Sequence, residues 1–350
     1  MDKSNYMIYL FFMLALGFSC AETKSAETGN VAEEITDSTN ADTLKFTSGI
    51  RAIFQDSNGH YWIGSHGEGV SKWDGQTFQY YTVDNGLADN QVRTIQEDKN
   101  GNIWFGTGNG VSSFDGRMIK NYTAETADPN LQIDTLAAYL WFSAGIHAGV
   151  DFYDGETLTR LNFPYTSNED GQLQVTDVSR APDGTVWFAT YGSLIHYDGK
   201  EMLVYDHDRL KLDERDRLHV RSVLADSKGR IWMGNNGIGV LLLEQGVVSN
   251  FSDSKGLIHP TSNRTGDHSQ PGTMEHVFAI EEDSKGNIWF GDRDTGVWRY
   301  DGDTMINYQV GKNTESRMVW DIYEDTSETL FVSTMVGVYQ FNGETFDKRF

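Results

Sequence analysis

Three arginines open three copies of one recurring segment. Arg51 follows Ile50, Arg93 follows Val92 and Arg221 follows Val220, each at the head of an apolar, strand-like run. Guanidinium groups brought together from separate segments suit a carboxylate or a similar anion, because each planar fork donates paired hydrogen bonds. Neighbouring loop positions add His66, His147, His219, His276, Arg293 and Trp320. The expected ligand is therefore an acidic oligosaccharide or another small anion, held by cationic and aromatic groups. The same set admits a second chemistry, in which Glu275 and His276, with His219 and His66, supply an acid/base pair. No cofactor and no metal are expected.

Two other motifs carry less than they promise. "GTGNG" (106–110) looks like a phosphate cradle, but such a loop must lead into a helix N-terminus. A strand follows here instead. "DSNG" (56–59) and "DSKG" (226–229 and 283–286) resemble half a calcium loop, yet the bidentate Glu that completes one is missing. Their Asp and Asn are expected to make local turn hydrogen bonds.

The elements that position these residues repeat. Trp62, Trp104, Trp141, Trp187, Trp232 and Trp289 recur at intervals of 37 to 57 residues, with Phe331 in the seventh place. That is the period of a propeller blade. Each unit opens on apolar anchors three apart: Ile50/Ile53, Val92/Ile95, Ile133/Leu136, Val175/Val178, Val220/Val223, Val277/Ile280 and Val319/Ile322. A polar turn, the Trp strand, a third strand ending in Asp-Gly, and a fourth strand follow. Asp-Gly favours a tight hairpin because both residues tolerate positive φ. Two residues after each Trp or Phe the side chain is small: Gly64, Gly106, Ser143, Ala189, Gly234, Gly291, Ser333. Residues two apart share a strand face, so the small one lets a neighbouring sheet approach.

A four-stranded sheet with two apolar faces cannot stand alone, and stacking seven around an axis buries both. The expected fold is all-β, a closed seven-bladed β-propeller of four-stranded antiparallel blades over residues 44–350. Either "TLKFT" (43–47) or the last segment (345–350) could form the closing outer strand. Blade-to-blade and second-to-third-strand loops share one side of the disc and vary in length. That side is the expected working surface.

Composition agrees with a β-rich body. Of 350 residues, 36 are Gly, five are Pro, nine are Trp and 13% are aromatic. The formal net charge of −23 argues against a nucleic-acid partner. The single cysteine, Cys20, precludes an intrachain disulfide. It follows a charged start, an apolar run from Met7 to Phe18, and Ser19, which reads as an export signal over residues 1–19. Residues 20–43 are acidic, without aromatics until the fold begins, and read as a disordered tether.

Taken together, "V..I..D..G..W.GT..GV...DG...F..Y" resembles the two-component regulator propeller repeat of periplasmic sensor domains. The start resembles a bacterial lipoprotein signal with Cys20 as the lipidated residue, which implies an envelope-anchored protein, periplasmic or on the outer membrane. The resemblance implies a sensor-like ligand-binding or protein-interaction propeller. Sensors of this kind carry a further β domain, a membrane helix and a kinase after the propeller. Here the chain ends at Phe350, so signalling is expected to pass through an envelope protein partner. Some similar propellers are lyases with His, Glu and a divalent metal at the axial mouth. The alternative they imply is a lyase acting on a glycan or a cyclic ester.

Overall fold

The computed structural model describes residues 42–127, 132–135, 139–143, 148–163, 173–311 and 318–350. The expected signal segment, Cys20, nearly all of the tether, Leu136 and His147 lie outside them.

Seven four-stranded sheets form the blades of a propeller. Six innermost strands pack side by side around the axis: Ile50–Gln55, Val92–Glu97, Val175–Arg180, Val220–Ala225, Val277–Glu282 and Val319–Glu324. We number the blades 1, 2 and 4 to 7 by these strands. Both faces of each sheet are buried, and the Trp strand shows how. Ile231–Asn235 is buried at every position. Successive side chains point to opposite faces, so a Trp and the residue after it meet different neighbours. Trp62 packs on Phe105 with ring centroids 5.6 Å apart, Trp104 on Phe142 at 6.0 Å, Trp141 on Phe188 at 5.4 Å and Trp232 on Phe290 at 5.6 Å. Each of those phenylalanines directly follows the Trp position of the next blade.

The small residue beyond each Trp has the role its size suggested. A methyl group at Gly64 would stand 2.9 Å from the Val92 side chain, and one at Gly291 would stand 2.5 Å from that of Val319. Serine at this place adds a bond, since Ser143 Oγ donates to Val175 O at 2.6 Å and Ser333 Oγ to Ile50 O at 3.1 Å.

The turn aspartates are the other half of the repeat. One oxygen of Asp226 accepts the N–H groups of Lys228 and Arg230, closing the turn. The other accepts the Trp232 indole N–H at 2.8 Å. Asp56, Asp98 and Asp283 do the same for Trp62, Trp104 and Trp289 at 2.9, 3.0 and 2.8 Å. These oxygens are thus spent on turn and indole, as the turn reading anticipated. In blade 7 Phe331 has no N–H to give, and Asp325 instead accepts the Tyr61 hydroxyl of blade 1 at 2.6 Å.

That bond belongs to the ring closure. Ile53 N–H donates to Asp321 Oδ2 at 3.0 Å, Gln55 N–H to Tyr323 Oη at 3.0 Å, and the Phe350 ring lies 5.6 Å from that of Phe78. Of the two candidate closing segments, Phe346–Lys348 is the outer strand of blade 7. Residues 43–47 form no strand and lie along blade 1, with Phe46 edge-on to Tyr80 at 5.4 Å.

Blade 3 departs from the expected plan. Its strands are Leu140–Phe142, Gly149–Tyr153 and Leu158–Asn162, joined on the outside by a parallel pair, Glu125–Thr126. Ile133, expected as an innermost anchor, donates its N–H to Gly199 O in the hairpin turn of blade 4. The chain crosses there beside blade 4, and among the described residues blade 3 has no innermost strand.

The turn–indole lock makes a test. Asp226→Ala strands the buried Trp232 N–H and two turn N–H groups, so it should cost about 2–4 kcal/mol. Trp232→Phe, which copies blade 7, should cost roughly 1–2 kcal/mol. Urea midpoints of the two variants decide it; a loss under about 0.5 kcal/mol for Asp226→Ala would discard the lock.

Candidate ligand site at the propeller axis

Every innermost strand carries an irregularity at the same place. Pairing with the second strand skips the second residue: Ile50 faces Ser65 and Ala52 faces Gly64, leaving Arg51 unopposed. The same shift occurs in the other five innermost strands. A bulge of this kind resets the alternation of side chains, which is why the anchors fall three apart rather than two. It also frees one residue per strand to aim at the axis: Arg51, Arg93, Thr176, Arg221, Phe278 and Trp320, all lining one cavity of about 720 Å³.

Around the axis, blades 5, 6, 7, 1 and 2 are consecutive, and their bulge residues read Arg221, Phe278, Trp320, Arg51, Arg93. The Arg51 guanidinium lies 3.7 Å from the Trp320 ring centroid. That of Arg221 lies 4.5 Å from Phe278, 5.4 Å from Tyr191 and 5.8 Å from Trp320. Arg51 Nε donates to His66 Nδ1 at 3.1 Å, and Arg93 Nε to Gln91 Oε1 at 2.8 Å. Burial, then the fields of Arg221 and Arg93, push the Arg51 guanidinium down to about 10, which leaves it charged at neutral pH. Burial, then the fields of Arg51 and Arg93, hold His66 below the ordinary imidazole range, so it serves as a neutral acceptor. Among the described residues neither Arg51 nor Arg221 has a carboxylate partner.

Deeper in the channel the lining turns acidic. Asp177 and Asp321 stand at the third place of their strands, and Glu281 at the fifth. Asp177 accepts the Val223 N–H of the next blade at 2.9 Å, as Asp321 does that of Ile53. Burial is the main cause that raises all three, Asp177 to about 6, Asp321 to about 7 and Glu281 to about 8; Glu281 is raised further by Asp321 and Asp177. None of the three acids was picked out from the sequence. The signal was present as a charge inside an otherwise apolar run, in "VTDVSR", "VFAIEE" and "VWDIYE".

The structure divides the expected site residues. Arg51, Arg93, Arg221 and Trp320 meet at the axis with His66 beside them, and His219 stands at the rim with its ring 5.0 Å from Tyr191. Arg293 is consumed internally. It binds Asp294 at 2.7 Å and the carbonyls of Gly266 and Asp267 at 2.9 and 2.6 Å, pinning the long loop before blade 6. His276 is buried, and neither ring nitrogen has a hydrogen bond. Burial pushes its imidazole, and that of His219, down to about 4. Glu275 accepts His259 N–H and the Ser262 hydroxyl. Among the described residues no three His, Cys, Asp or Glu side chains are grouped to hold a metal. Of the envisaged acid/base set, His66 is held by Arg51, the Glu275 carboxylate is bonded within its loop, His219 contacts Tyr191 and Asn236, and His276 is buried without a hydrogen bond.

Three stretches, 45–67, 86–109 and 273–294, match the family described as two component regulator propeller, so the chain carries that repeat. No curated protein matches it. Among solved structures, the extracellular domain of a hybrid two component system from B. thetaiotaomicron is 21% identical with a TM-score of 0.64, over 86% of this chain and 40% of its own. The extracellular domain of a one component system from the same organism is 20% identical with a TM-score of 0.59, over 85% and 39%. The present chain thus spans about 40% of the length of these relatives. A virginiamycin B lyase from Staphylococcus aureus is 14% identical with a TM-score of 0.62, over 83% and 94%. These likenesses establish the propeller fold.

The acidic tier sets a pH dependence. Folded Glu281 keeps its proton to about pH 8, while the unfolded chain releases it near 4.5. The folded state therefore binds more protons across that window, and stability from this group falls as pH rises through it. Glu281→Gln should raise Tm at pH 8.5 and change it little at pH 5. Equal effects at both pH values in a thermal scan would refute the assignment.

Proposed function

We propose that this two component regulator propeller is a ligand-recognition module of the bacterial envelope, binding an acidic oligosaccharide or a similar small anion at the axial mouth. One observation carries the reading: Arg51 and Arg221, held against Trp320 and Phe278, line the cavity, and among the described residues neither is paired with a carboxylate. A buried cation without a counter-charge is costly, and an arriving anion would supply it. The flat aromatic faces beside the guanidinium groups suit a sugar ring, and about 720 Å³ accommodates a ligand of disaccharide size.

The extracellular placement of the solved relatives supports an envelope location, as does the export signal read over residues 1–19, just before Cys20. In this reading Cys20 carries the lipid, the acidic segment after it is the tether, and an envelope protein receives the signal at the disc. Labelling with a fatty-acid analogue should mark the wild-type chain and leave Cys20→Ser unmarked. Label on both would remove the anchor.

For the site, Arg51→Ala with Arg93→Ala and Arg221→Ala should abolish retention of uronic-acid oligosaccharides on a glycan array and leave neutral ones unaffected. Loss of three charge-assisted contacts corresponds to at least about a hundredfold in affinity. An unchanged signal for the acidic glycans would overturn the reading.

A further inference from the structure

Opposite charges occupy the axial cavity and do not meet. The arginines sit at the second place of their strands and Glu281 at the fifth, so their Cα levels differ by about 10 Å along the axis. Among the described residues no ion pair joins the Arg51 or Arg221 guanidinium to a carboxylate, nor Glu281 or Asp321 to a guanidinium. Asp321 accepts the Ile53 N–H and Asp177 those of Val223 and Val178, whereas the Glu281 side chain lines the cavity with no hydrogen bond or ion pair to any described residue. The groups acting on Glu281 are all acidic: Asp321, Asp177, Glu324 and Glu282, while Tyr323 stands on the adjoining strand. Arg180 lines the far end of the cavity and already has a partner.

Proteins ordinarily resolve such a pattern by pairing the two signs, because an uncompensated buried charge costs several kcal/mol. This cavity instead keeps them on separate levels around open space. We infer that the axial ligand is dipolar, with a carboxylate at Arg51 and Arg221 and an ammonium group about 6–10 Å away directed at Glu281 and Asp321. Amino acids with a distant amine and acidic amino sugars are the chemical classes that fit. This rests on the anion site proposed above and adds its second pole. A plain dicarboxylate or a hexanoate would satisfy the mouth alone, whereas an ammonium end also lets Glu281 ionise beside its acidic neighbours.

Calorimetric titration of the intact chain at pH 7.5 with 6-aminohexanoate, hexanoate and hexylamine tests it. The zwitterion should bind about tenfold tighter than hexanoate, the effect of one charge-assisted contact. Glu281→Gln combined with Asp321→Asn should reduce 6-aminohexanoate to the hexanoate level and leave hexanoate itself within about twofold. Arg51→Ala, whose acids are intact, should weaken both carboxylates alike. Equal binding of hexanoate and 6-aminohexanoate to the wild type overturns the dipolar proposal and leaves the anion site standing. So does a zwitterion preference that survives the double substitution. Absence of binding by either carboxylate up to about 10 mM overturns both.

Discussion

The close approach of the Trp strand to the innermost strand of the next blade, seen at Gly64, Gly234 and Gly291, is the contact on which the rest depends. It requires a residue without bulk two places after the Trp, because Val92, Val277 and Val319 press into that space from Gly64, Gly234 and Gly291 respectively. Given that approach, an indole can fill the wider gap further along the same face, and the residue after it can fill the gap on the opposite face. The resulting runs, "IWFG" and "IWMG", are apolar on both sides, as strands buried on both faces must be. The turn aspartate then removes the one polar liability of the indole. Apart from that turn–indole bond, which lies within one blade, these contacts join neighbouring blades, so much of the stability resides between blades and the ring must close to complete it. Closure through Asp321, Tyr323, Asp325 and Phe350 uses side chains, where many rings would share a strand.

The same packing produces the site. With the second strand drawn tightly against the next blade, the innermost strand accommodates one extra residue, and the bulge turns that residue toward the axis. Identity there is free of the core's demands: Thr176 spends its hydroxyl on Val220 O, while the other five places hold three arginines and two aromatics. A scaffold that repeats by necessity thus presents a ring of positions that need not repeat. Among the described residues blade 3 contributes no innermost strand, and Tyr139, Trp141 and Ser143 of that blade line the cavity directly.

Much of this was legible in the sequence because packing rules recur and coincidences of size can be counted. The Trp positions, the small residue beyond them and the Asp-Gly hairpins each repeat often enough to announce a ring of sheets. The arginines were legible for the same reason, since Arg51, Arg93 and Arg221 share one place in the repeat. What did not repeat was misread. Ile133 has the spacing of an innermost anchor, yet the chain at blade 3 runs beside the blade 4 hairpin, a choice that local pattern does not encode. His276 and Arg293 lie in length-variable connections and looked available. Their burial and bonding are decided by how the loop before blade 6 folds back over Asn236 and Asp294. The acids escaped notice because a charge at the third or fifth place of a half-buried strand ordinarily faces water. Only the closed ring shows that these places face the channel.

The electrostatic character of the channel differs from that of the molecule around it. A net charge of −23 repels anions at long range, but beyond a Debye length of about 8–10 Å salt screens it. Within the mouth, where burial removes that screening, the guanidinium groups dominate because Arg51 stays charged even when pushed down to about 10. The carboxylates below respond to burial in the opposite sense. Raised to about 7 and 8, Asp321 and Glu281 carry much of their population as neutral acids near pH 7. At rest the cavity is therefore cationic above. Beneath, Asp177, raised only to about 6, keeps most of its charge while Asp321 and Glu281 are neutral in large part, so two of the three acids oppose an entering anion only weakly. Their charge becomes available when a positive group arrives to stabilise it, which makes the second pole a consequence of binding and not a barrier to it.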